Sequence, residues 1–440
     1  MKMALCLNHR FSLLFVRFVA LTALLFFVLL PFGQLSGTER DEYRSDVLTF
    51  HGDKKISADS LSSDSFFITL DCKTTAPQTP PRYSFILRGI DPVERALLQD
   101  VQSDGKWDRF DLFRAAMIVE GVRDPELIRT YDARLDALVA KVLSGLRAKG
   151  ENSPRILART LFEAMHKEIL TQPYSLDCTE LSKVMKTGHF NCVSATVLFN
   201  CLAEKAGLNV CALEMPGHAL SRIKFADGIT MNLETTCPTY FDLQSEKDRE
   251  RATLQRVAPI TAPTNPRTAQ NAGAPPEVVS DTELPSDLRE ISPVQLTATI
   301  YYNIGVDLHA KKRYPEAAAA NIKALYLDKG NEQAWTNLLA SINNWVLDLV
   351  ADKENGRYDI AAILLDEGVK LDPTYSNFRS NQTFVFYYWI HTLAGKGNFD
   401  TAQKVFEHAE KRIPNDKDLQ NLISAINDIN QAKKKRESNN

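Results

Sequence analysis

The sequence predicts an α+β core with a helical lead-in and an antiparallel sheet, followed by an all-α region of repeated helix pairs. Three observations predict this fold class. Apolar residues recur at helical spacing from about residue 90 to 206, short extended segments bounded by turn residues follow, and helical spacing returns from about residue 291. The chain has 440 residues, 44% of them hydrophobic and 24% charged, which suits a globular protein of two or three domains.

The first 34 residues have the composition of a signal peptide or a membrane anchor. Lys2, Arg10 and Arg17 precede an uncharged apolar run from Phe18 to Phe32. Positive charges on this side favour a cytoplasmic N-terminus with the rest of the chain translocated. No small-residue cleavage site is evident after the run, which favours the anchor. We therefore expect a cell-envelope or secreted protein, with residues 35–89, rich in Ser, Asp, Thr and Pro, as a flexible stalk.

Composition argues against several other kinds of site. The formal net charge is −3 and no basic stripe occurs, so nucleic acid is not an expected partner. The basic polar tail at 433–440 fits a solvated helix end. The seven cysteines include no C-x-x-C pair, and those outside the leader are able to pair in an oxidising compartment. Because His189, Cys192 and His218 fit no zinc-ligand spacing, we predict neither a metal nor a cofactor.

The C-terminal region carries a recurring pattern of aromatic and small residues. An aromatic residue precedes an alanine by three positions in three places: Tyr314 and Ala317, Tyr358 and Ala361, Phe399 and Ala402. The pattern resembles the tetratricopeptide repeat, in which small residues let paired helices approach closely. The alanines are 44 and 41 residues apart, more than the family's period of about 34, so longer helices or loops must absorb the difference. A generic helical bundle is the alternative, and in either case residues 291–432 are predicted to bind a protein partner.

The residues that suggest chemistry lie between 178 and 237. Cys192 follows Gly188-His189-Phe190-Asn191 and opens an apolar run, which places it in the first turn of a helix, where a thiolate is favoured. His218 follows a Pro-Gly turn and opens a predicted strand that ends at an Asp-Gly turn. With Asn209–Met215 before it and Ile229–Thr236 after it, this strand makes three predicted antiparallel strands. Asn232 and Glu234 are expected on one face of the third by alternation. Singly, these residues also fit a buried cysteine, a core histidine and a polar strand face. Together they suggest a nucleophile, a base and a residue that orients the base.

These stretches resemble the transglutaminase-like superfamily, nearest to its bacterial branch related to the SirB family. The matching segments are Asn191-Cys192-Val193-Ser194, Ala206-Gly207-Leu208-Asn209-Val210, Pro216-Gly217-His218 and Asn232-Leu233-Glu234-Thr235-Thr236. The resemblance covers about residues 90–240 and implies a papain-like core, and we place this domain at residues 90–256. Residues 257–290, rich in Ala, Thr and Pro, are predicted from their composition to form a linker or a mobile loop. The resemblance also implies a triad of Cys192 as nucleophile, His218 as base and Glu234 as the third member, with Asn232 as the alternative.

Two interpretations of function remain open from the sequence. The first is a cysteine-dependent acyl transfer or amide hydrolysis on a protein or peptide substrate that the helical repeats position. The second is a catalytically inactive fold that acts as a membrane-tethered protein-binding scaffold. Ala219 and Leu220 follow His218 where the family often has aromatic residues, which favours the second interpretation.

Overall fold

The computed structural model describes residues 90–101, 104–215, 217–239, 241–242, 288–413 and 416–439. The predicted leader at 1–34, the predicted stalk at 35–89 and most of the predicted linker lie outside these residues. The chain divides into two compact units, and of the first (Met1–Ser65 with Met215–His218) only Met215, Gly217 and His218 are described. The second unit, Phe66–Glu214 with Ala219–Asn440, contains all the other described residues.

A helical lead-in precedes the sheet, as predicted. It comprises α1 (Pro92–Asp100), α2 (Leu112–Val119), α3 (Pro125–Ala148), α4 (Pro154–Glu168) and the short α5 (Leu181–Thr187). Helices α1 to α4 begin at polar caps that accept hydrogen bonds from first-turn backbone N–H groups: Asp91, Asp111, Asp124 and Ser153. Helices α1, α3 and α4 have proline as their first residue, where it removes no helical hydrogen bond. These local signals determine where the helices begin.

The next helix, α6 (Cys192–Lys205), is buried in the core. Every residue from Cys192 to Ala203 is buried, and the helix packs against α2, α3, α4 and α5. A helix surrounded in this way needs apolar or small residues on all its faces, and Asn200 is the one larger polar residue between Cys192 and Ala203. Its first residue, Cys192, is therefore held by packing along the whole length of the helix.

The sheet contains four strands in the described chain, in the order β3-β2-β1-β4: β1 (Val210–Met215), β2 (His218–Lys224), β3 (Thr230–Leu233) and β4 (Arg289–Ile291). Strands β2 and β3 are antiparallel, with Ser221 opposite Leu233. The Ser221 hydroxyl donates to Asn200 Oδ1 of α6 at 2.7 Å, which shows that this face of the sheet lies on α6. The sequence pattern predicted three strands, the third reaching Thr236. Instead, the third ends at Leu233, and a fourth strand pairs with β1.

The C-terminal region is helical throughout its described residues. Its helices are α7 (Pro293–Ala310), α8 (Tyr314–Leu327), α9 (Glu332–Leu349), α10 (Tyr358–Leu371), α11 (Ser376–Gly395), α12 (Phe399–Glu410) and α13 (Asp416–Asn439). The aromatic residues of the repeated pattern, Tyr314, Tyr358 and Phe399, begin α8, α10 and α12. The long spacing is absorbed by long helices, since α9 has 18 residues and α11 has 20. A Cβ on Gly305 would lie 2.7 Å from Asn321 Nδ2, so this glycine allows α7 and α8 to approach closely.

Strand β4 ties the helical region to the sheet. Ala212 pairs with Ile291 and Glu214 with Arg289, and α7 begins at Pro293, directly after its cap Ser292. The Arg289 guanidinium donates to Glu214 at 2.5 Å and to both carboxylate oxygens of Asp328, the residue that ends α8, at 2.9 and 2.5 Å. The strand is therefore bonded on one side to the sheet and on the other to the second helix of the helical region.

A buried ion pair joins the helical region to the lead-in. Lys323 of α8 donates to Glu94 of α1 at 2.8 Å, and the Tyr301 hydroxyl of α7 donates to the same carboxylate oxygen at 2.5 Å. The Glu94 and Lys323 side chains keep only 8% and 17% of their surface exposed. A single buried hydrophobic cluster extends through the lead-in, α6, the sheet and the helical region. The two parts predicted from the sequence thus share one core.

The architecture agrees with the predicted α+β class, with an all-helical region after the sheet. Among the residues that the structure describes, no helix is long and apolar enough to cross a membrane. The apolar run from Phe18 to Phe32 lies outside those residues.

Candidate active site

Cys192 is the first residue of α6, as predicted. The preceding residue, Asn191, caps the helix: its Oδ1 accepts from the Ser194 N–H at 3.0 Å, and the Asn191 N–H donates to Ser194 Oγ at 3.0 Å. This reciprocal capping box fixes the first turn of the helix. Cys192 is 8% exposed. Its sulfur therefore lies at the positive end of a helix dipole, which favours the thiolate form.

The cap is held by a second layer of hydrogen bonds. The Asn191 side-chain amide donates to Thr179 Oγ1 at 2.7 Å and to the Leu176 carbonyl at 3.1 Å, and the Ser194 hydroxyl donates to the Cys178 carbonyl at 2.6 Å. Asn191, Ser194 and Thr179 are all buried. These bonds attach the segment before α5 to the head of α6, so the start of the cysteine helix is rigidly placed.

The helical region also reaches this cap. Asn303, on α7, donates from its side-chain amide to Thr179 Oγ1 at 3.2 Å. Thr179 therefore accepts hydrogen bonds from both Asn303 and the N-cap residue Asn191. A residue far along the chain thus supports the turn that presents Cys192.

A short extended segment places a tyrosine beside the thiol. The Gln172 N–H donates to the Gly188 carbonyl at 3.1 Å and the Ser175 N–H to the Phe190 carbonyl at 2.8 Å. Gly188 has φ of 81°, and a Cβ there would lie 2.5 Å from Thr171 Oγ1. Because only glycine permits this close approach, the segment runs directly along residues 188–190. Tyr174 is then brought against Phe190, with ring centroids 6.1 Å apart.

The Tyr174 hydroxyl lies at the candidate nucleophile. Burial of the hydroxyl raises the pKa of Tyr174 well above its usual value, and the negative charge of Cys192 and a hydrogen bond with its sulfur raise it further. A hydrogen bond with the Cys192 backbone N–H acts in the opposite direction, and the charge of Glu234 adds a smaller increase. Tyr174 is therefore electrostatically coupled to the Cys192 thiol, the group that would act as the nucleophile of a cysteine enzyme.

Glu234 lies directly after β3 and is buried. Its Oε1 accepts from the Thr236 N–H at 3.0 Å and from the Thr236 hydroxyl at 2.5 Å. The adjacent Thr235 hydroxyl is 2.9 Å from the hydroxyl of Thr196, one helical turn after Cys192. The turn that carries Glu234 is consequently anchored to the first two turns of α6.

His166, on α4, lies near Thr235 and Glu234. Burial lowers its pKa to about 4, although a hydrogen bond to the Thr235 backbone and the charge of Glu234 act against this shift. Its ring is edge-on to Phe190, with centroids 6.1 Å apart, and its Nε2 is buried without a hydrogen-bond partner among the described residues. His166 is therefore neutral at pH 7.

The remaining predicted site residues lie on β2 and β3. His218 is the first residue of β2 and is half-buried. Asn232, in β3, accepts a hydrogen bond from Arg222 Nε at 2.8 Å, and Arg222 also binds Glu290 at 3.2 Å. Asn232 and Glu234 were expected to share a strand face. Because β3 ends at Leu233, Glu234 instead belongs to the turn that follows.

Sequence reasoning missed two residues of this site. Tyr174 lies in a segment without periodic pattern, and only its pairing with Phe190 brings it to the cysteine. His166 lies within the amphipathic pattern of α4, where a histidine carries no special signal. Both reach the site through long-range packing that the local sequence does not encode.

Comparison with known families supports the predicted core. Residues 129–243 match the family model described as the transglutaminase-like superfamily. The matched region contains Tyr174, Cys192, His218 and Glu234, and the match agrees with the predicted transglutaminase-like fold. This superfamily fits a cysteine-dependent acyl-transfer or protease role. No curated protein matches the chain, and no solved structure does either.

Proposed function

We propose that this protein is a cysteine-dependent enzyme that cleaves or exchanges an amide bond of a protein or peptide substrate. One observation carries the proposal. Cys192 is the first residue of a buried helix whose first turn is closed by a reciprocal capping box, and Tyr174 interacts with its sulfur and its backbone N–H. Groups with a shifted pKa beside the thiol, and a thiol at a helix start, are typical of cysteine nucleophiles.

In the proposed reaction the Cys192 thiolate attacks the substrate carbonyl carbon. The carbonyl electron pair moves to oxygen, and the Cys192 backbone N–H donates to the resulting oxyanion. His218 accepts the thiol proton and returns it to the leaving nitrogen as the C–N bond breaks, which leaves a thioester. Water then gives hydrolysis, whereas an amine gives a new amide.

Glu234 is our choice for the residue that orients His218. Its turn is bonded to α6 through Thr235 and Thr196, and its carboxylate is buried. The side-chain oxygen of Asn232, the alternative, is bonded to Arg222. A carboxylate fixes the tautomer of a neighbouring imidazole and stabilises its protonated form, which an amide does less well.

Tyr174 has a part in the same proposal. Its hydroxyl interacts with both the sulfur and the backbone N–H of Cys192, and in this proposal a substrate carbonyl oxygen replaces it at that N–H. Substrate binding would then displace this hydroxyl, and Tyr174 is 45% exposed rather than enclosed in the core.

The experiment is alkylation of the full-length protein by iodoacetamide between pH 5 and 9, with peptide mapping of Cys192. We expect Cys192 to react faster than an unstructured thiol near neutral pH, and His218→Asn to slow the reaction. His408→Asn, a histidine of the helical region that packs on Phe386, is the matched control and should leave the rate unchanged. The enzyme hypothesis fails if Cys192 reacts no faster than a free thiol and Cys192→Ala retains any activity found.

A second function, a non-catalytic binding scaffold, is favoured by how little of the thiol is accessible. Cys192 is only 8% exposed, and Tyr174 already contacts its thiol and N–H. A thiol that stays unreactive even in Tyr174→Ala would favour this alternative. Fast labelling of that variant would instead indicate a competent nucleophile that Tyr174 covers.

Three further points belong to the same proposal. The motifs around Cys192 and His218 support assignment to the bacterial SirB-related branch. The aromatic residues that begin α8, α10 and α12 support tetratricopeptide-like repeats that bind a protein partner or position the substrate. The apolar run from Phe18 to Phe32 supports contact with a membrane, as an anchor in the cell envelope or as a leader cleaved on secretion. The mass of the mature protein distinguishes an uncleaved anchor from a cleaved leader.

A further inference from the structure

The helical region contains a groove between α11 and α13. Its volume is about 590 Å³, and both helices line it. The α11 residues in its wall recur at the spacing of one helix face: Ser380, Thr383, Phe384, Tyr387, Tyr388 and His391. The groove is separate from the candidate active site, because none of its lining residues is among those around Cys192.

The α11 wall is a continuous aromatic surface. The Phe384 and Tyr388 ring centroids are 4.6 Å apart, those of Tyr387 and Tyr388 5.4 Å, and those of Tyr387 and His391 4.4 Å. Phe384 and Tyr387 are 37% and 36% exposed. Large aromatic rings left this open to solvent are more typical of a binding surface than of a helix exterior.

The charge of the groove indicates what it binds. The α13 wall contributes the carboxylate of Asp428, and no lysine or arginine is among the lining residues. Aromatic faces attract cations through their quadrupole, and a carboxylate adds direct attraction. One such cation–π contact is present within the chain at the margin of the groove, where Lys353 Nζ lies 4.3 Å from the Tyr388 ring centroid.

Two polar atoms of the same wall have no hydrogen-bond partner within the described chain. They are Thr383 Oγ1 and His391 Nε2, and both are buried. Polar atoms withdrawn from water in this way are destabilising unless something satisfies them. A ligand with a hydrogen-bonding backbone would supply the missing partners.

We propose that this groove binds the cationic side chain of a partner protein, a lysine or an arginine on an exposed segment. Aromatic rings would hold the aliphatic stem and face the charge, Asp428 would pair with the charge, and the partner's backbone would bond to Thr383 and His391. The inference does not rest on the reaction at Cys192, because it concerns binding alone.

The test uses full-length Cys192→Ala protein, so that no turnover interferes. A pentapeptide Gly-Ser-Lys-Ser-Gly, capped at both ends, is titrated calorimetrically into the millimolar range against the same peptide with norleucine replacing lysine. We expect at least about tenfold tighter binding of the lysine peptide, weakening with added salt. Asp428→Asn and Phe384→Ala should each abolish most of that difference. Glu410→Gln, an exposed carboxylate at the end of α12, is the matched control.

Several outcomes would overturn the proposal. Equal binding of the two peptides would show that charge is not recognised, and tighter binding of a glutamate peptide would reverse its sign. An unchanged affinity in Asp428→Asn, with an unchanged melting temperature, would remove the proposed ion pair. Self-association that disappears when residues 433–440 are deleted would identify a second copy's basic tail as the occupant. Fast labelling of Cys192 in the wild-type chain is unaffected by any of these results, so the two proposals fail separately.

Discussion

Replacement of Tyr174 by phenylalanine tests the contact at the candidate nucleophile most directly. Interaction with the charge and sulfur of Cys192 raises the pKa of Tyr174, and such coupling is reciprocal, so the protonated hydroxyl must favour the thiolate. A hydrogen bond to a charged group contributes about 1.5–3 kcal/mol. Since Tyr174 is 45% exposed, the lower value applies, and it corresponds to about 1 pKa unit. We expect Tyr174→Phe to raise the pKa of the Cys192 thiol by this amount.

The assay is the pH dependence of the alkylation rate at Cys192. Below the midpoint the rate should fall about tenfold in Tyr174→Phe, whereas above it the thiolate is fully formed in both proteins. The rate there should not fall, because removing the hydroxyl also uncovers the sulfur. Tyr314→Phe, whose ring packs on His309 in the helical region, is the matched control and should leave the profile unchanged. An unshifted midpoint in Tyr174→Phe would refute the proposed coupling.

Three further predictions test the surroundings of the site. Asn303→Ala should slow alkylation of Cys192, because it removes one of the bonds at Thr179 that support the cap; that bond contributes about 0.5–1.5 kcal/mol. The free energy of unfolding of the wild-type protein should fall by at most about 3 kcal/mol between pH 6.5 and 4. Burial lowers the pKa of His166 to about 4 in the folded chain, so over this range the unfolded chain binds a proton that the folded chain does not. Lys323→Met should destabilise the fold by about 3 kcal/mol, measured by urea unfolding, because it leaves Glu94 buried and unpaired.

Each of these has an outcome that contradicts it. Alkylation in Asn303→Ala at the rate found for Asn355→Ala, an exposed loop residue, would show that the helical region does not support the cap. For the pH prediction, the slope should disappear in His166→Phe, and its persistence there would assign it to another group. Lys323→Met should still unfold in one transition, because the two parts share a core. Two separate transitions would indicate that they are independent domains.

Much of the fold follows from local signals in the sequence. Asp91, Asp111 and Ser153 mark helix starts because each side chain caps an N–H group only two or three residues later in the sequence. The hairpin turn at Asp227-Gly228 is equally local, and β2 and β3 pair antiparallel on either side of it, as predicted. The third strand was overextended because the sequence Leu233-Glu234-Thr235 continues the alternation. Thr235, however, bonds to Thr196 of α6 and turns the chain out of the sheet.

The candidate site was predictable only in part for a related reason. The position of Cys192 depends on Asn191 and Ser194, which are its neighbours in sequence, so the helix start was visible. Tyr174 and His166 reach the site through contacts with Phe190, which lies 16 and 24 residues later in the sequence. Sequence periodicity does not predict contacts between residues this far apart, and the rings come together only in the folded chain.

Strand β4 was not predicted from the sequence. Three residues, Arg289–Ile291, are too few for a recognisable pattern, and they follow a proline-rich stretch that predicts a linker. Their pairing is stabilised instead by Arg289, which bonds to Glu214 on the sheet and to Asp328 at the end of α8. Because α7 starts directly after this strand, its direction is set by the sheet, and that direction delivers Asn303 to Thr179. The helical region therefore supports the start of α6 because β4 pairs with β1, and the local sequence does not predict that pairing.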